Sequence, residues 1–213
     1  MKTLTYIIAM IILLACNTET QQTEASETMT EETGIDQYKP IDSDEALIAT
    51  ALMAAPAEFR DESTVIGYNM AGEFVTMKEG TNDLICLADD PKKEGFIAAC
   101  YHKDMEPFMA RGRALREEGK GAEEIFNIRE EEVKSGKLKM GKEGSTLHIY
   151  YGPDSSYDPS SSEVSNAKYR YVVYMPYATA ASTGLPEKPI AANHPWIMNP
   201  GTHRAHIMIS PVE

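Results

Sequence analysis

Residues 83–102 read DLICLADDPKKEGFIAACYH: two apolar runs, 83–88 and 96–102, separated by the turn formers Asp89, Asp90, Pro91 and Gly95. Runs of this length with this punctuation read as a β-hairpin. A hairpin centred on Lys93 sets Cys86 opposite Cys100 on one face, where facing Cβ atoms stand about 4.5–5.5 Å apart, close to what a disulfide needs. The chain has three cysteines. With Cys16 accounted for below, Cys86 and Cys100 are an even pair, and the expectation is a bridge, the alternative being two buried free thiols.

Working outward, runs 64–69 and 73–78 are also short and β-branched or apolar, separated from each other and from the hairpin by Ala71-Gly72 and by Glu79-Gly80-Thr81-Asn82. Such spacing predicts an antiparallel meander. Before it, Asp42-Ser43-Asp44-Glu45 caps a helix that Pro56 stops. After it, Asp104 caps a second helix with Pro107 in its first turn and Met105, Phe108, Met109, Gly112 and Leu115 at 3–4 spacing. A third helix spans 122–134, with Ile125, Phe126, Ile128 or Arg129, and Val133 facing inward. Strands follow at 146–151, 168–175 and 204–210, and 152–166 (GPDSSYDPSSSEVSN) reads as an exposed loop. Helix, four strands, two helices, three strands is a segregated order. It predicts an α+β single domain over 41–213, with a largely antiparallel sheet of about seven short strands and about three helices.

The N-terminus has a different logic. Lys2 precedes an apolar run, 4–14, that rises only about 16 Å as a helix, roughly half the depth of a bilayer core. Leu13-Leu14-Ala15-Cys16 matches a lipobox, so 1–15 reads as a lipoprotein signal peptide and Cys16 as the lipid attachment site. Residues 17–38 carry six acids and no base. That composition predicts a disordered tether over 16–40, about 25 Å in root-mean-square reach. The expected place is the bacterial cell envelope, on the outer membrane, with the membrane as partner through the N-terminal lipid.

Over the whole chain 20 basic residues face 33 acidic ones, a net of −13. Setting aside Lys2 and the six tether acids leaves −8 for residues 39–213. Such a surface repels nucleic acid, which is excluded as a partner. The basic residues at 92–93, 111–120 and 134–142 alternate with acids and read as solvated helix faces.

Gly80-Thr81-Asn82, Cys86, Asp90-Pro91 and Cys100, and near the end Pro195-Trp196-Ile197-Met198, Gly201-Thr202, Ala205-His206, Met208 and Pro211-Val212, resemble a family of exported bacterial (lipo)proteins without an assigned activity. The resemblance implies a compartment and no chemistry.

Candidate chemistry is sparse. His203 and His206 lie in a segment that reads as a strand, which would aim them to opposite faces and deny a metal site with His194. No metal or cofactor is expected, and His203 reads as dispensable. Asp154 and Asp158 lack the pattern of a calcium loop. Seven of eleven tyrosines fall within 150–177, and Tyr150, Tyr169, Tyr171 and Tyr174 are the candidate ligand-binding residues for an unidentified small-molecule or protein partner. The expected function is a noncatalytic binding or interaction module. The alternative is a small exported hydrolase or metal-dependent enzyme using His102, His194 or His206 with Asp104.

Overall fold

The computed structural model describes residues 37–210. The expected signal segment at 1–15, Cys16, residues 17–36 and residues 211–213 lie outside them. The hairpin centred on Lys93 is present: β4 (Leu84–Leu87) and β5 (Phe96–His102) pair antiparallel with Cys86 facing Cys100 and Leu87 facing Ala99. The two cysteines are joined, their Cα atoms 4.0 Å apart.

Alternation on β5 divides the molecule into layers. Phe96, Ala98 and Cys100 are buried beneath α1 (Asp44–Leu52), whose Leu47 and Ala51 are fully buried and whose Ala51 carbonyl lies 3.5 Å from the Cys100 sulfur. Ser43 caps α1 by accepting from the Ala46 N–H. Ala99 and Tyr101 point the other way, to the side covered by α2 (Glu106–Glu117) and α3 (Ala122–Lys134). The sheet is thus sandwiched between one helix and two.

That sheet has eight strands. To the elements above it adds β2 (Thr64–Tyr68), β3 (Phe74–Lys78), β6 (Thr146–Gly152), β8 (Lys168–Tyr174), β9 (Trp196–Met198) and β10 (His206–Ile209), in the order β3-β2-β4-β5-β6-β8-β10-β9. All neighbours are antiparallel except β2 and β4, which pair in parallel. The meander expected for the first four strands is corrected here, because β3 goes to the edge and the chain crosses back to the far side of β2. The crossing is held by the Glu62 carbonyl, which accepts from the N–H groups of Thr81 and Asn82, and by the Asn82 amide donating to Phe59. Gly80 makes it possible: a Cβ there would lie 2.3 Å from the Ser63 carbonyl carbon.

Three further expectations are corrected. The last strand begins at His206, and residues 203–204 form a turn before it. Residues 152–166 are not simply exposed, since they contain β7 (Ser156–Tyr157) and the buried Val164, whose N–H donates to the Tyr150 hydroxyl. β7 pairs with β1 (Lys39–Pro40), so the last two residues assigned to the tether are strand. A short α4 (Ala180–Thr183) precedes β9, and no helix among the described residues is long and apolar enough to cross a membrane.

Candidate ligand groove

Beneath α2 the floor of the sheet is aliphatic: Leu87 on β4, Ile97 and Ala99 on β5, Leu147 and Ile149 on β6. Helix α2 buries Phe108, Gly112 and Leu115 and does not close over this strip. What remains is a cavity of about 250 Å³, adjoined by a second of about 430 Å³ that shares Leu87, Ile97, Ala99, Arg113 and Arg116 and extends to Tyr68 and Phe74. Ile97 is 55% exposed, unusual for an isoleucine at the centre of a sheet.

Against this apolar floor stand four arginines, Arg113 and Arg116 from α2, Arg129 from α3 and Arg204 from the turn before β10. Arg113 is engaged: it is ion-paired to Glu106 and donates to the Tyr101 hydroxyl (3.3 Å), which itself donates to Glu106 (2.6 Å). Burial, and then Glu106, raise the Tyr101 phenol well above its ordinary range. Arg116, Arg129 and Arg204 have no carboxylate within ion-pair distance among the described residues.

Arg129 is the unusual one. It is 8% exposed, donates through Nη1 to the Phe108 carbonyl and lies 4.0 Å over the Phe108 ring, while its Nε has no protein partner. Burial, and then the charges of Arg204 and Arg116, lower its pKa to about 10. Gly112 admits it: a Cβ there would stand 2.8 Å from Nη1. Glycine inside a helix costs about 1 kcal/mol relative to alanine, and here the space it leaves is filled by a guanidinium. Arg111 grips Glu132 with two nitrogens (2.8–3.0 Å) and ties α3 to α2 behind it.

His203 packs against Phe108, behind the groove. It is fully buried, with its ring 5.7 Å from Phe108 and 4.9 Å from Phe126, and neither nitrogen has a protein hydrogen-bond partner. Burial lowers its pKa to about 4, so the ring is neutral. Tyr174 links it through Phe108 to His206, whose Nδ1 lies 2.7 Å from the Arg204 carbonyl. Both histidines therefore lie on the α2–α3 side, contrary to the expectation of opposite faces, because the turn at 203–204 breaks the alternation of the strand. Nor is His203 peripheral.

The other expected site residues are dispersed. Tyr150, Tyr169 and Tyr171 stack in a row on the α1 side, with ring centroids 4.5 and 6.2 Å apart. Tyr150 is core; Tyr169 and Tyr171 border a shallow recess with Arg60 and His148. Tyr174 alone lies in the groove, so the four tyrosines do not form one site. His102 ends β5 and accepts from the Asp104 N–H, with Asp83 and Asp104 each 3.7 Å away. His194 lies in a recess with Arg170 and Trp196. The histidines proposed for the enzyme alternative thus occupy three different places, and no three His, Cys, Asp or Glu side chains among the described residues are grouped to hold a metal ion. Asp154 and Asp158 accept from serines and an asparagine of their own loop.

Reading 111–120 as a solvated face missed the groove, since Arg113 and Arg116 point beneath their helix. The available signal was Arg129, which occupies an inward position of α3. Compared with family models, characterised proteins and solved structures, the chain matches none.

Proposed function

We propose that this is a noncatalytic lipoprotein of the bacterial envelope, carried on lipid at Cys16, whose domain binds a small ligand in the groove between α2 and the sheet. One observation carries the reading: a buried guanidinium, Arg129, without an acidic partner, beside Arg116 and Arg204 in a chain of net charge −13. An uncompensated buried charge destabilises a fold unless something repays it, and a bound anion is the simplest compensation. The inner cavity is lined chiefly by aliphatic, aromatic and guanidinium groups, and the outer one adds Asp90 and Lys93, which pair with each other, and Glu117, which accepts from Tyr68. This lining suits recognition, and the residues named do not bring a nucleophile and a base together. The chain enters the domain through Ile41, which packs in the α1-side core, and the groove lies on the other face of the sheet.

A thermal-shift screen of small organic acids on residues 37–213 and on its Arg129→Met variant tests this. The expected result is a set of acids that stabilise the wild-type domain and not the variant. Stabilisation of both to the same degree would place binding elsewhere and remove the reading.

A further inference from the structure

We infer that the ligand is an amphiphile with a single anionic head group, a carboxylate or phosphate ester held by Arg116, Arg129 and Arg204, and an aliphatic chain lying across β6, β5 and β4. This rests on the groove being the binding site, and it follows from how charge is distributed along it.

Arg129 and Arg204 at the inner end, and Arg116 where the two cavities meet, lack acidic partners among the described residues, and the buried Nε of Arg129 has no protein partner. Guanidinium groups bind carboxylate and phosphate through paired N–H donors. At the outer end Lys93 pairs with Asp90 at 2.8 Å, and the Glu117 carboxylate, which accepts from the Tyr68 hydroxyl at 3.1 Å, would repel an anion. The head group therefore belongs inside, and the far end of the ligand is neutral. Between the two ends the floor is Leu147, Ile149, Ala99, Ile97 and Leu87, with Phe74 at the outer wall. From Tyr174 on β8 to Tyr68 on β2 is four strand spacings, about 19 Å at 4.7–4.9 Å each. That is room for an extended chain. Cavities of about 250 and 430 Å³ in series fall in the range of small-molecule sites. The exposure of Ile97 and Phe74, 55% and 38%, gives the chain an apolar surface to cover.

The test is titration calorimetry on residues 37–213 with decanoate and decyl phosphate. Controls are acetate and inorganic phosphate (head alone), decanol (chain alone) and decyltrimethylammonium (charge reversed). The expected result is binding of one or both decyl anions, with every control at least tenfold weaker; which anion binds tighter distinguishes carboxylate from phosphate. Gly112→Ala, which displaces the Arg129 guanidinium without emptying the core, and Ala99→Leu, which fills the floor, should each weaken binding at least tenfold. Circular dichroism on both checks that they fold.

Decanol or the cation binding as tightly as decanoate would overturn the head-group assignment. Inorganic phosphate binding as tightly as decyl phosphate would overturn the chain. Either result leaves the groove standing as a site, as would failure of all decyl compounds when another acid from the screen still distinguishes wild type from Arg129→Met. Decyl anions binding equally to the wild type, Gly112→Ala and Ala99→Leu would overturn both the inference and the groove.

Discussion

At the scale of single residues, the groove is made of costs. Arg129 keeps a charge in a place where burial opposes it, so Arg129→Met should leave the unliganded domain as stable as wild type or more so, by up to about 1–3 kcal/mol, as read in urea denaturation. Two buried titrating groups pull stability in opposite directions with pH. Asp89 is 4% exposed, and burial raises its pKa to about 6. Its carboxyl favours folding below the unfolded value near 4, and that contribution is lost as pH rises through 6. Asp89→Asn keeps the acceptor for the Ile97 N–H and should be more stable than wild type at pH 7.5 by roughly 2 kcal/mol, with the advantage vanishing at pH 4. His203 has the reverse sign: its contribution is complete above about 6.5 and lost as pH falls through about 4. His203→Phe should flatten the acid limb of the stability curve. His203→Ala, which leaves a hole between Phe108 and Phe126, should cost about 2–4 kcal/mol. Tyrosine density alone does not choose a face, because aromatic residues mark cores and sites alike, and only Tyr174 of the four candidate tyrosines borders the proposed groove. The sequence left Ile128 and Arg129 as alternatives for one inward position of α3, and what an inward arginine faces is decided by α2 and by the turn before β10, far away in the chain.

Elements were legible where they are long enough to show a period. Helix α3 has the expected bounds; α2 lies within two residues of them, but Asp104 does not cap it, since 103–105 form a short 3-10 turn capped by His102; and the hairpin centred on Lys93 has the expected register and bridge. Strands β1, β7 and β9, of two or three residues, carry no period to read. The parallel pairing of β2 with β4 was hidden for another reason, because it depends on one carbonyl, Glu62, and on the room at Gly80. Gly80→Val should destabilise the domain by more than 2 kcal/mol and disturb β2 before β5, a difference that hydrogen exchange resolves by element. Replacing both Cys86 and Cys100 with alanine removes a loop constraint worth about 3 kcal/mol, and the midpoint of unfolding should fall accordingly.

For the whole molecule, the fold class follows from the segregation of helices and strands, while the three-layer arrangement follows from which residues of β5 point up and which point down. The proposed membrane attachment through Cys16 rests on residues outside the described ones; on that proposal Cys16→Ser should move the protein from the membrane fraction to the soluble one or leave it unprocessed, and unchanged incorporation of labelled fatty acid would contradict it. One consequence concerns load. A chain held at its N-terminus and pulled through its domain meets first the two-residue pairing of β1 with β7 and next α1. Both lie on the side of the sheet away from the groove. Tension would therefore peel off the cover of the Cys86–Cys100 bridge, laying it open to reductants, before it reached the arginines beneath α2, so the first consequence of traction is a redox exposure.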